Sequence, residues 1–481
     1  MATYELAVIG AGPAGLAAAL AAADEGVRVV LLDAAPEAGG QFYRQPAKAL
    51  YARRPQRLYH AWATWERLRS RLEAHTASGQ TSFLSDRHVW NVEHSDADGF
   101  AVHALIGPEQ RTSESLTARA LVLATGGYER VLPFPGWTLP GVLTAGGAQA
   151  LLKSGLVLPG RRVVVTGSGP LLLPVAASLA AAGADVAGLY ESSGPRGFAP
   201  HASAILANSG KLAEGARYTA ELARHGVRVR FRHTVVRAHG ADRLEAVTVA
   251  RLDGSGRVRE GTERRIDCDA LAVSHGMLPH IEIAHTLGAR LTDAGSAAVD
   301  AEQRTDVPNL WAAGETTGIG GATLSLAEGE LAGRSAAARL HGGEPDPAAP
   351  AWKAADKART RLRAFADVIE SAYAVPADWT ERVTDETILC RCEEVPASAV
   401  REAVAELGAT DLRTVKLLTR AGMGWCQGRI CGPGVAGASG CPAAPARTPF
   451  ARPVPLGVLA APASAAVRPV PSPSEEPHEQ P

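Results

Sequence analysis

The strongest constraint in this chain is a pattern written twice: an apolar strand, a glycine-rich turn, an alanine-rich helix and a second apolar strand. Residues 4 to 33 supply it first, as ELAVIG, AGPAGLAAALAAADEG and VRVVLLD, and residues 161 to 191 repeat it as RRVVVTG, SGPLLLPVAASLAAAG and ADVAGLYE. Each stretch predicts one βαβ unit of a doubly wound α/β fold. Two dinucleotide-type folds are therefore expected in one chain. At 481 residues the chain exceeds what one core can organise, since single cores stop growing at roughly 250 to 300 residues.

In the first unit Gly10, Gly12 and Gly15 form GxGxxG between a strand and a helix, the context the motif needs. Gly10 allows the tight turn, Gly12 lets backbone approach a pyrophosphate, and Gly15 lets the helix pack on the strand. Pro13 and Ala14 then open a helix whose N-terminus faces phosphate charge. Asp33 stands 18 residues past Gly15, at the end of the next strand, where a carboxylate can bind a ribose 2′-OH. An intact 2′-OH, as in FAD or NAD, is implied.

The second unit keeps Gly167 and Gly169 but has Leu172 at the third glycine position. Glu191 ends its second strand and can hold a ribose 2′-OH, with no neighbouring arginine for a 2′-phosphate. Two readings stay open there: a site for NAD(H) or another nucleotide, or a fold that kept its turn and lost its ligand.

Cysteine spacing is the most specific chemical signal. Cys390 and Cys392 form CxC, and after 33 residues Cys426 and Cys431 form CxxxxC. Four thiolates complete a [2Fe-2S] cluster. Gly422, Gly424, Gly428 and Gly432 lie close by, leaving backbone N–H groups able to approach the sulfurs. A four-cysteine zinc site is the alternative, although zinc sites favour longer spacings than CxC. Cys441 reads as a spare thiol, and Cys268 as a buried cysteine on an apolar strand. No CxxC follows either nucleotide fold, so a dithiol mechanism is not expected.

Further segments resemble the two-dinucleotide-domain flavoprotein family: Gly39-Gly40-Gln41, Ala124-Thr125-Gly126-Gly127, and Thr305 to Glu315 with the core NLWAAGE. The resemblance implies FAD held by Gly10, Gly12, Pro13, Ala14, Gly15, Asp33, Gly40, Gln41, Val89, Thr125, Gly126, Gly314, Glu315, Gly321 and Ala322. That family usually has Gly-Asp where this chain has Gly314-Glu315, one methylene longer. Behind it, Gly320-Gly321-Ala322 begins a helix, whose N-terminus near the flavin pyrimidine ring would stabilise charge on reduced flavin. CRCEEV and GMGWCQGRICGP resemble the [2Fe-2S] domain of bacterioferritin-associated ferredoxin type.

GGQFYR, PFPGWTLPGVLTAGGAQALLK, GSGPLLLPVA and GETTGIGGA extend the likeness to the α- or A-subunits of opine oxidases, hydroxyproline and proline dehydrogenases, and hydrogen cyanide synthase. The resemblance implies an electron-relay subunit beside a separate flavoprotein β-subunit that oxidises an amino or imino acid of the opine, hydroxyproline, proline or glycine class. Peripheral membrane attachment and a small ferredoxin-like subunit lie within the same expectation. Two rival readings are a stand-alone NADH-dependent reductase of an electron carrier, and a non-catalytic cluster-bearing assembly module. No paired carboxylates or nucleophile-and-base set stands out as catalytic, and His275, His280 and His285 read as sheet-end or surface histidines.

The expected organisation is an FAD domain over 1–150 and 290–345, a second dinucleotide-type domain over 151–289, a linker and helix over 346–385, a small helical [2Fe-2S] domain over 386–442, and a largely disordered Pro/Ala-rich tail over 443–481, with PVPLG as its candidate docking segment. Hydrophobic residues make up 46% of the chain and its net charge is −1, so there is material for several cores and no overall charge favours nucleic acid or an anionic membrane. The run Ala14 to Ala23 is too short to span a bilayer and is broken by Asp24 and Glu25. With no export signal read and its cysteines suited to a reducing compartment, the expected location is the cytoplasm.

Overall fold

The computed structural model describes residues 3–460, apart from 60, 96, 202–204, 377 and 443–447. Both βαβ units form as expected. In the first sheet Thr81–Leu84, Val29–Leu32, Thr3–Ile9, Thr112–Leu123 and Leu310–Ala312 run parallel, and Gly99–Ile106 and Arg87–Ser95 add an antiparallel meander. Alternate side chains of one strand enter different cores: Leu6 and Val8 meet the helix Pro13–Asp24, and Ala7 and Ile9 pack on the opposite face. Burial on both faces is why these strands read as unbroken apolar runs.

A second, five-stranded parallel sheet is built from Val229–Phe231, Asp185–Glu191, Arg162–Ser168, Ala270–His275 and Val142–Thr144. Two expected boundaries move as a result. Val142–Thr144 pairs with Ala270–His275, and the helix Ala145–Gly155 packs on that sheet, so the first unit gives way before Val142 rather than at 150. The chain also returns to the first unit before 290, because Ile283, Ala284 and Ala289 belong to that unit's core. Cys268 falls between strands Arg264–Asp267 and Ala270–His275 rather than on one, and is buried as expected.

The helix Pro350–Ala372 is a strap on the helix Ala322–Leu340. Leu362 and Ala366 pack on Leu324, Trp352 and Ala355 pack on Leu331, and Arg363 pairs with the buried carboxylate of Glu328. After it, Ile388–Cys390 and Val395–Pro396 form a short hairpin beside helices Ala397–Ala405, Leu412–Thr419 and Gly432–Ser439. This small domain docks on the second unit, where Trp137 Nε1 donates to the Ile388 carbonyl at 2.6 Å.

Of the expected disordered tail, 443–447 and 461–481 lie outside the described residues. Within 448–460 the docked part is Phe450–Ala451, not PVPLG: Ala451 N–H donates to the Trp90 carbonyl at 2.9 Å, Phe450 stacks edge-on to Trp90, and Leu456 is exposed. No helix among the described residues is long and apolar enough to cross a membrane.

Candidate functional site

The first glycine loop is built by close approach. A Cβ on Gly15 would lie 1.7 Å from the Gly10 carbonyl oxygen, and one on Gly10 would lie 2.2 Å from that of Ala124. Gly40 rests against Gly12, where a Cβ would come within 2.7 Å of the Gly12 Cα. Gly12 precedes the helix with no side-chain cap, so the first N–H groups remain available to an anion. Asp33 braces the turn by accepting from Ala11 N–H at 2.5 Å and Ala35 N–H at 2.7 Å. Burial pushes its carboxyl above the ordinary range, against the pull of those two bonds.

Three other expected segments converge near this loop. Thr125 Oγ1 donates to the His280 carbonyl at 2.6 Å, and Gly126 N–H donates to Thr316 Oγ1 at 3.2 Å. Ala313 N–H donates to the Leu123 carbonyl, which seats Gly314 and Glu315 beside them. Glu315 Oε1 accepts from Gly321 N–H at 2.7 Å at the start of the helix Ala322–Leu340. Its Oε2 is buried without a partner, and burial raises the carboxyl. An orphaned buried acceptor or donor next to an uncapped helix end is what a bound polar cofactor would satisfy. Gln41 is exposed and accepts from Arg44 at 2.9 Å. Val89 lies on the edge strand Arg87–Ser95, packed on the second face of the sheet.

At the second glycine loop the carboxylate is held by backbone N–H groups much as Asp33 is at the first, and a distant segment reaches the loop. Gly167 has φ +136° and lies so close to Ser274 that a Cβ would sit 1.6 Å from its carbonyl oxygen. Leu172 is buried in the core that the helix Leu172–Ala181 covers. Glu191 accepts from Ser193 N–H at 2.8 Å and Gly169 N–H at 3.2 Å. Ser168 Oγ donates to the Tyr373 carbonyl at 2.9 Å, and the Tyr373 ring meets Phe198 edge-on. The segment after the strap helix thus lies over the crevice at the carboxyl ends of the strands, where such folds take their ligands. His275, at the end of its strand, is buried, and burial lowers it to about 3, so it stays neutral.

Burial pushes the Glu191 carboxyl up to about 7 from an ordinary 4.5. Between those values the folded chain keeps a proton that the unfolded chain releases, so stability falls as pH rises through this window. Glu191→Gln lacks that titration. It is expected to gain on the parent by up to about 3 kcal/mol between pH 5 and pH 8, read from urea midpoints at both values.

Cys390, Cys426 and Cys431 face one another between the hairpin and the loop before Gly432–Ser439, and Cys392 lies on the same hairpin beside Gly424. Cys390 and Cys431 are buried, Cys426 is half-buried and Cys392 is exposed. Gly422 N–H donates to Cys390 Sγ at 3.5 Å, and Gly424 lies so close to Cys392 that a Cβ would sit 2.1 Å from its Cβ. The Cys426 thiol is drawn down to about 5, first by Cys431 and then by the backbone N–H groups of Ile430, Gly428 and Cys431, although burial opposes this. Cys431 is pushed the other way by Cys426, by burial and by Cys390. Gly432 departs from expectation, since its N–H donates to the Gly428 carbonyl at 2.6 Å instead. Among the described residues no single ion position gathers three protein donors. A two-iron cluster asks for none, because each iron takes two thiolates and two bridging sulfides. The residues fit that group.

One junction went unread in the sequence. Arg429, between Cys426 and Cys431, pairs with Glu282, donates to the Cys426 carbonyl at 3.4 Å and also reaches the Ala451 carbonyl. Glu282 Oε2 lies 3.2 Å from His280 Nε2, without hydrogen-bond geometry, and His280 N–H donates to the Gly126 carbonyl at 2.9 Å. The cluster loop is therefore tied to the Ala124–Gly127 loop of the first unit. Only the arginine inside CQGRIC offered a sequence signal; Glu282 is distant in sequence and joins it by folding.

Comparison with known proteins agrees with this geometry. The model described as pyridine nucleotide-disulphide oxidoreductase matches residues 4–336, and the one described as BFD-like [2Fe-2S] binding domain matches 388–437. Hydrogen cyanide synthase subunit HcnB of Pseudomonas protegens is 31% identical, the match covering 88% of this chain and 89% of that one. The A-type subunit of opine oxidase from Agrobacterium tumefaciens is 33% identical, covering 89% and 84%. The crystal structure of L-proline dehydrogenase from P. horikoshii shares the fold, with a TM-score of 0.66 at 22% identity over 95% of this chain and 80% of that one. FAD and a [2Fe-2S] cluster are the cofactors of these two folds. The chain belongs to the pyridine nucleotide-disulphide oxidoreductase family and carries, after that fold, a BFD-like [2Fe-2S] binding domain.

Proposed function

We propose that this chain is the electron-relay subunit of a heteromeric dehydrogenase or oxidase acting on an amino or imino acid of the opine, hydroxyproline, proline or glycine class. The observation that carries the reading is the Arg429–Glu282 tie, which holds the cluster loop against the loop of the flavin fold. Relatives named as subunits of hydrogen cyanide synthase and opine oxidase support it. A flavin accepts two electrons at once and releases them singly, which a cluster requires.

In this reading Gly10, Gly12, Gly15 and the helix from Pro13 receive the pyrophosphate, with Ala14 lining the turn and Asp33 at the ribose. Gly40, Gln41, Val89, Thr125, Gly126, Gly314, Glu315, Gly321 and Ala322 complete the enclosure, and Cys390, Cys392, Cys426 and Cys431 hold the cluster. No acid or base of this chain is asked to act on substrate; a partner flavoprotein subunit takes that step. Six free cysteines suit a reducing compartment, and we place the protein in the cytoplasm.

The rival reading, an NADH reductase working alone, would need the crevice that Tyr373 overlies. Anaerobic titration separates the two. NADH is expected to leave the flavin band unchanged, whereas substrate plus the partner subunit bleaches it and then reduces the cluster. Rapid bleaching by NADH alone would overturn the relay reading, and a flavin that neither donor reduces would favour an assembly module.

A further inference from the structure

Within the segment from Phe42 to Leu58, Tyr43 is anchored in the core of the first unit against Trp65, and the rest serves neither that core nor the cluster. It leaves the first unit, crosses to the second and is stitched to the end of the helix Ala145–Gly155. Ala47 N–H donates to the Ser154 carbonyl at 2.9 Å, and Lys153 Nζ donates to the Phe42 carbonyl at 3.0 Å. The Lys153 ammonium also lies 5.1 Å from the Tyr59 ring centre. Around this seam large apolar side chains face outward together. Tyr51 is 86% exposed, Val157 54%, Leu50 44%, Phe42 43%, Leu156 42% and Leu151 40%. Isolated exposed apolar residues need no explanation, but a contiguous group of them marks an interaction surface.

The segment itself carries charge of one sign. From 42 to 58 the chain carries Arg44, Lys48, Arg53, Arg54 and Arg57 and no carboxylate. Lys48 is paired with Glu37 at 3.2 Å. Arg53, Arg54 and Arg57 are exposed and make no ion pair among the described residues. Aromatic side chains and arginine at an apolar centre are the residue types that dominate protein interfaces.

We propose that this seam docks the substrate-oxidising subunit through an apolar face ringed by carboxylates on that partner. The occupant rests on the relay reading above. The complementary charge would speed encounter and set orientation, and the apolar centre would hold the complex.

The test isolates the complex from source cells on a tag carried by this chain. Its second flavoprotein chain is verified by amino- or imino-acid-dependent bleaching, and amide exchange in the complex is compared with that of the isolated chain. Amides within 42–58 and 150–158 are expected to exchange at least about ten-fold more slowly in the complex, and the helix Trp62–Ala77 at an unchanged rate. The triple variant Arg53→Glu, Arg54→Glu, Arg57→Glu is expected to weaken assembly at least about ten-fold and to flatten its salt dependence, with flavin and iron contents unchanged. Protection elsewhere with this seam unchanged overturns the surface and leaves the relay reading standing. Self-association through the same peptides, or co-sedimentation with phosphatidylserine vesicles that the triple variant abolishes, names another occupant and overturns this one. Failure to recover any oxidising partner overturns the relay reading, and the occupant with it.

Discussion

Replacing Cys431 with serine is expected to remove the iron–sulfur absorbance and at least about nine-tenths of the bound iron, while flavin stays stoichiometric. Cys431 is buried between Cys426 and Cys390, and its loop supplies the backbone N–H groups that stabilise the neighbouring thiolate. A serine hydroxyl ionises far less readily and is a harder donor, so the soft iron site loses one of four strong bonds. Flavin should remain because the glycine loop of Gly10 to Gly15 is assembled in another core. Cys441→Ser is the control and should keep both cofactors. Iron and flavin assays with an absorbance spectrum decide the matter; joint loss of both groups from Cys431→Ser would show that the small domain and the flavin fold stand or fall together.

Arg363→Met is expected to cost about 3 kcal/mol of stability, from breaking a largely buried ion pair at one partner. The Glu328 carboxylate is buried, and Arg363 is its cationic partner. Gly314 N–H and Thr317 Oγ1 also donate to Glu328, each at 2.9 Å, so Arg363 neutralises a charge that positions the turn leading to Glu315. Without it the carboxylate must either remain charged in an apolar setting or take up a proton. Urea unfolding at neutral pH reads the loss. Glu328→Gln combined with Arg363→Met should recover part of it, because the double variant buries no charge.

How much of this was legible follows from how far each signal travels along the chain. Both βαβ units were readable because strand period, glycine spacing and helix composition are local, and close approaches such as Gly15 to Gly10 leave only glycine able to serve. The cluster module was readable for the same reason: CxC and CxxxxC each fit within one turn of chain, and thiolate chemistry narrows the choice of metal. The resemblance carried the cofactors and the class of enzyme.

What only the tertiary structure decided is where separate segments meet. Val142–Thr144 looked like an extension of the first unit and was claimed by the second sheet, because pairing with Ala270–His275 buries it better than any local preference could foretell. Glu191 has the position of a ribose ligand and is held by backbone N–H groups as Asp33 is, and folding alone brings Tyr373 to the neighbouring Ser168 from the far end of the strap helix. Arg429 and Glu282 are unremarkable as letters and form the tie between cluster and flavin folds only once three cores have packed. Sequence by itself determined the elements and their chemistry, since those rest on spacing within a few residues. Folding decided the junctions, since a contact between distant residues depends on the geometry of everything packed between them.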